Sequence, residues 1–148
     1  MPDTLDNGFF VFVAEPDPSG NTEVIDKVFT LIIDRSGSMG GEKIIQAKNA
    51  ANYIVQNLNE GDKFNIVDFA SDVTSFRSNH VEFNSTNMSQ ALSYISSIIA
   101  SGSTNISGSF DLAVPQFSTA NDSTANIIIF LTDGQATAGI TQTEQLIN

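Results

Sequence analysis

VFTLIIDRSGSMGG, residues 28–41, is the stretch whose reading decides the fold. Val28 to Ile33 is apolar almost throughout, the pattern of a central parallel strand buried on both faces. The run breaks at Asp34. Asp34, Ser36 and Ser38 then stand at alternate positions of a loop, where an extended backbone turns their oxygens toward one point. Gly37 and Gly40 are expected to permit the bend this requires.

Outward from that strand, apolar periodicity places the other elements. Ile44, Ala47, Ala51, Ile54 and Leu58 recur at helical spacing, with Gly61 suited to the stop beyond. Phe64–Phe69 reads as a second strand and Val73–Phe76 as a short edge strand. Met88, Ala91, Leu92, Ile95, Ile98 and Ile99 form one helical stripe. Ile106, Phe110, Ala113, Val114 and Phe117 form another, which Pro115 should kink or shorten. Ile127–Leu131 is a further buried strand. Strands alternating with helices imply an α/β fold, a doubly wound and mostly parallel sheet flanked by helices.

The ends read differently. Phe9–Ala14 is a short apolar strand, too short to span a bilayer, and Glu15–Asn21 carries two prolines and a glycine, as a loop does. Residues 1–22 are therefore expected to be a strand and linker from a preceding region, and residues 23–148 the main domain. Thr141 to Glu144 has the form of a capping box, with Leu146 and Ile147 opening an apolar face that two turns cannot stabilise. The domain is thus expected to be C-terminally truncated. The apolar edge beside Ile127–Leu131 would then be paired by a partner chain, by a strand swap, or by Phe9–Ala14.

In an open α/β sheet, ligands bind in the crevice beyond the carboxyl ends of the strands. Three loops fall there, Asp34–Ser38, Ser101–Thr104 and Thr132–Gly134, and each brings oxygen donors. Two carboxylates (Asp34, Asp133) and three hydroxyls (Ser36, Ser38, Thr104) suit a hard cation. Mg²⁺ fits best, with Mn²⁺ or Ca²⁺ also admitted by an all-oxygen donor set. Each loop alone has a plainer reading: Asp34, Ser36 and Ser38 as helix caps, Thr104 as the cap of the next helix, Asp133-Gly134 as an ordinary turn. Their joint occurrence favours the metal site.

Asp-x-Ser-x-Ser after a buried strand, a later Thr in a Gly/Ser loop, and Thr-Asp-Gly after another buried strand resemble the von Willebrand factor A family. The segments FNIVDFAS (residues 64–71) and GSTNI (residues 102–106) are most similar to the inter-α-trypsin inhibitor heavy chains and related proteins that place this domain after a VIT domain. The resemblance implies a metal-ion-dependent adhesion site at Asp34, Ser36, Ser38, Thr104 and Asp133. The serines and threonine would ligate the ion, the aspartates directly or through water, and a partner's acidic side chain would complete the shell. It also implies a non-enzymatic module that binds a protein or matrix ligand, in an extracellular or cell-envelope setting. Asp68 departs from the family pattern, a carboxylate where similar sequences place an apolar residue. It is read as an acceptor near the ion or as a solvent-facing side chain.

Seventeen acidic against six basic residues give a net charge of −11, which repels phosphate backbones and anionic lipid, so no nucleic-acid partner and no direct membrane insertion are expected. Cysteine is absent, excluding disulfides and thiolate metal sites. One histidine and no cysteine leave few nucleophile–base pairs. The alternative function is a metal-dependent hydrolase using the same ion as a Lewis acid. His80 reads as a solvated loop residue, and four Asn-x-Ser/Thr matches carry little weight in so Asn- and Ser-rich a chain. Arg35, Met39, Gly40, Thr137 and Ala138 are placed on the rim by loop position.

Overall fold

A computed structural model describes residues 26–119, 124–134 and 137. The expected strand at Phe9–Ala14, the loop Glu15–Asn21, the capping box from Thr141 and the rim residue Ala138 lie outside them. Within them the chain runs β1 (Lys27–Asp34), α1 (Glu42–Gln56), β2 (Lys63–Phe69), β3 (Val73–Ser75), β4 (Val81–Glu82), α2 (Ser85–Ser97), α3 (Ile106–Ala113) and β5 (Ala125–Leu131). The sheet order is β3-β2-β1-β5, with β4 also pairing β2. β2 and β5 run parallel to β1, one on each side, while β3 and β4 are antiparallel to β2. The α/β architecture is the expected one.

β1 lies in the middle because both its faces are apolar. Alternation along the strand sends Leu31 and Ile33 to one side and Ile32 to the other. The first side packs on Ala47, Ala51 and Val55 of α1 and Ala91 and Ile95 of α2. The second joins Val67, Phe69 and Ala113, with Phe110 and Phe130 stacked at 5.4 Å. Helices therefore cover both faces, and full burial of each Leu, Ile or Phe contributes about 1.5–3 kcal/mol. Among the described residues, β5 is paired with β1 on one edge only.

Element boundaries moved where polar capping outranked periodicity. α1 stops at Gln56, before Leu58, and Gly61 (φ 97°) sits in the turn that feeds β2. α2 begins at Ser85 because the Asn84 side chain accepts from the Asn87 backbone N–H. It ends at Ser97, which leaves Ile99 outside the apolar stripe and 75% exposed. α3 ends at Ala113 and continues as a 3-10 turn through Pro115, the shortening its sequence suggested. His80 is not solvated. It is half-buried, with Nε2 2.7 Å from the Thr30 hydroxyl and its ring 4.7 Å from that of Phe117.

Candidate functional site

The site loop begins where β1 ends. Asp34 is fully buried, and its two oxygens accept from different directions. The Ser36 backbone N–H donates to Oδ1 at 2.8 Å, and the Thr132 hydroxyl donates to Oδ2 at 2.6 Å. Register explains the second bond. Ile33 pairs with Leu131 across β1 and β5, so one step further along both strands brings Asp34 opposite Thr132. Both donors are neutral, and among the described residues Asp34 forms no ion pair.

Residues 37–39 form a single 3-10 turn, and α1 follows behind Gly41. The helix-cap readings of the serines and of Thr104 do not hold. Neither Ser36, which precedes the 3-10 turn, nor Gly41, which caps α1, supplies a side-chain cap, and α3 is capped by the Asn105 side chain rather than by Thr104. Ser36 and Ser38 instead turn toward each other, Oγ to Oγ at 3.1 Å. The Ser38 hydroxyl also donates to Asp133 Oδ1 at 3.0 Å. The bend differs from the expected one. Gly40 has φ −56°, and the positive φ falls at Gly41 (76°).

Main-chain bonds bring in the second loop. Gly37 N–H donates to the Gly102 carbonyl at 2.8 Å and Ser101 N–H to the Arg35 carbonyl at 2.7 Å. Gly102 holds φ 83°, a backbone conformation that strains other residues, and a Cβ there would lie 2.7 Å from Ser71 Oγ in the turn between β2 and β3. Thr104, buried to 4% exposure, is tied to the third loop: its N–H donates to Thr137 Oγ1 at 2.8 Å, and Thr137 N–H donates back to its carbonyl at 3.0 Å. The five residues singled out in the sequence therefore lie on three mutually bonded loops at one rim of the sheet.

Two residues that pattern reading passed over also belong to this rim. Thr132 fixes Asp34, as described. Lys43, in the first turn of α1, donates to Asp133 Oδ2. The Lys43 ammonium, followed by partial burial in the opposite sense and the Ser38 hydroxyl, holds the Asp133 carboxyl below the usual range. A Cβ on Gly134 would lie 3.8 Å from Ser38 Oγ and 4.0 Å from Asp34 Oδ2. The space kept open by that glycine is thus flanked by two oxygens of the kind a hard cation takes. Oxygen donors, two formal negative charges and open space fit a divalent ion.

Two rim assignments are corrected. Met39 is buried in the core between β1 and the helices α1 and α2, because the 3-10 turn rotates its side chain inward. Arg35 turns away from the rim and into an acidic pair, with Nε on Asp68 and Nη2 on Asp72 at 2.8 Å. Asp68 is 4% exposed, so it does not face solvent. It accepts from Arg35, from the Thr74 hydroxyl at 2.8 Å and from the Tyr94 hydroxyl. Burial, reinforced by the bond to Asp68, pushes the Tyr94 hydroxyl well above its ordinary pKa. Exposed Gly40 and Thr137 remain on the surface near the site.

Comparison with known proteins gives a consistent picture. The von Willebrand factor type A domain family matches residues 29–135. Inter-alpha-trypsin inhibitor heavy chain H4 from Bos taurus is 35% identical over 143 residues, covering 93% of this chain and 15% of its own length. The chain thus spans about a seventh of the curated relative it matches. Among solved structures, a von Willebrand factor type A protein from Catenulispora acidiphila superposes with a TM-score of 0.73 at 24% identity, over 82% of this chain and 29% of that one. Proximal thread matrix protein 1 from the mussel byssus, described with a zinc-occupied MIDAS motif, gives 0.61 at 20% identity, over 78% and 33%.

Proposed function

The chain belongs to the von Willebrand factor type A domain family, and on that premise we propose that it is a cation-dependent binding module rather than an enzyme. Asp34, Ser36, Ser38, Thr104 and Asp133 hold the ion, Mg²⁺ first and Mn²⁺ or Ca²⁺ by the same oxygen chemistry. Ser36, Ser38 and Thr104 offer neutral hydroxyls, while Asp34 and Asp133 supply charge directly or by holding metal-bound water. When bound, the ion supplies an electrophilic position that a partner's acidic side chain can fill. The observation that carries this reading is the Ser38 hydroxyl, in reach of both Ser36 Oγ and Asp133 Oδ1, residues drawn from loops 95 positions apart.

The partner is a protein or matrix ligand offering a carboxylate. An extracellular or cell-envelope setting agrees with the byssus relative. Among the described residues no helix is long and apolar enough to cross a membrane. Among the described residues, nothing at the rim favours the hydrolase alternative. The sole histidine, His80, pairs with Thr30 and lines a pocket of about 430 Å³ with Lys27, Lys63 and Phe117 at the amino ends of the strands, opposite the rim.

The test is calorimetric titration with MgCl₂. One EDTA-reversible site is expected for the wild type. Asp133→Ala and Asp34→Asn should each weaken it by roughly 10–100-fold or more, the range for ligands and the groups that hold them. Unchanged affinity in both variants, with circular dichroism reporting an intact fold, would defeat the assignment.

A further inference from the structure

We propose that the Lys43 ammonium is an internal counter-ion that occupies Asp133 until a divalent cation displaces it, and so sets the cation affinity of the rim. This rests on the cation-binding reading above.

Lys43 is the second residue of α1, where unsatisfied backbone N–H groups carry partial positive charge and a cation is disfavoured. Gly41 precedes the helix without a side-chain cap, and Glu42 is the one acidic side chain of the first turn. The contact with Asp133 offsets the unfavourable placement. Access is one-sided. The Lys43 side chain is 56% exposed and the Asp133 side chain 14%, so the ammonium reaches in from solvent and can leave without opening a cavity.

Charge arithmetic points the same way. Asp34 and Asp133 bring two negative charges, Asp34 meets neutral donors only, and Lys43 cancels one charge. A divalent ion shared by both carboxylates neutralises the rim completely. Keeping Lys43 on Asp133 as well would leave two cations repelling across one carboxylate. Binding therefore requires Lys43 to move off Asp133, and part of the ion's affinity is spent on breaking that pair. Lys43 is thus a positioning residue for Asp133 in the ion-free state and a competitor in the loaded one.

The experiment titrates MgCl₂ at fixed ionic strength into the wild type, Lys43→Met, Lys43→Arg and Lys48→Met. Lys48 lies on the same helix and donates instead to the Ser96 carbonyl, so its removal makes the same charge change without freeing Asp133. Lys43→Met should tighten Mg²⁺ by about two- to five-fold, the effect of removing one partly exposed ion pair. Lys43→Arg should stay near the wild type, and Lys48→Met should tighten binding clearly less than Lys43→Met. Thermal melting supplies a second readout. In EDTA, Lys43→Met should melt below the wild type, and saturating Mg²⁺ should close that gap.

Wild-type-like or weaker affinity in Lys43→Met, or an equal gain in Lys48→Met, overturns the counter-ion while leaving the metal site standing. Absence of Mg²⁺ binding in every protein, Lys43→Met included, defeats the metal site and this inference with it.

Discussion

Asp34 and Asp68 are both buried carboxylates near the carboxyl ends of neighbouring strands, yet the protein treats them in opposite ways. Asp68 pairs in register with Ile33, one residue from Asp34. Alternation sends the two side chains to opposite faces of the sheet. Asp68 receives a guanidinium and two hydroxyls, a shell that neutralises its charge and fills its lone pairs. Asp34 receives one backbone N–H and one hydroxyl, and no cation among the described residues. A buried carboxylate without a counter-charge is costly. That cost falls at the rim, where a second carboxylate adds to it and the space beside Gly134 would admit a cation to offset both. Arg35 makes the division: it stands between Asp34 and Ser36 in sequence and directs its charge to Asp68, not to the carboxylate proposed to hold the ion.

The largest effect expected from breaking that contrast is on stability. Asp68→Asn leaves the Arg35 guanidinium, itself largely buried, with Asp72 alone, and should cost about 3 kcal/mol, the lower end for breaking a buried pair. Urea unfolding in EDTA measures it. Mg²⁺ affinity by calorimetry should stay at the wild-type value. A folded Asp68→Asn protein that had lost Mg²⁺ binding would show that the two carboxylates act as one site.

A smaller effect isolates the hydroxyls. Tyr94→Phe removes one donor from Asp68 and leaves Arg35 and Thr74 in place. A hydrogen bond to a charged acceptor is worth about 1.5–3 kcal/mol, and loss near the lower figure is expected because two donors remain. The wild-type stability in Tyr94→Phe would mean that the Arg35 pair alone suffices for Asp68.

Much of the fold was legible because its signals are local. The apolar run into Asp34 marks a central strand, and the spacing of Ala47, Ala51 and Ala91, Ile95 marks the helix faces that cover it. The oxygen donors proposed for the ion are equally visible, since a loop of alternating Asp and Ser and a Thr-Asp-Gly turn are written in consecutive residues. What stayed hidden depends on pairings across the chain. Thr132 reaches Asp34 only through the β1–β5 register, and Lys43 meets Asp133 across 90 residues. Met39 looks like a rim residue until a 3-10 turn carries it inward. Asp68 looks anomalous in its strand until Arg35, from another loop, supplies its charge.

His80 extends the contrast to a half-buried polar group and gives the smallest expected effect. It was hidden for the same reason, since its partner Thr30 lies 50 residues away on β1. Burial holds the imidazole below its ordinary pKa, against a backbone hydrogen bond with Gln116 and with a further push downward from Lys63. The folded chain therefore prefers the neutral ring. The unfolded chain takes up a proton near pH 6.5. Stability contributed by the neutral ring is thus complete above about pH 6.5 and is lost as pH falls from there through the lower folded value. Thermal unfolding in EDTA should decline more steeply between pH 6.5 and 5 for the wild type than for His80→Gln, which has nothing to protonate there. Parallel slopes would mean that His80 is as accessible to protons folded as unfolded, and that the Thr30 contact does not keep the ring neutral.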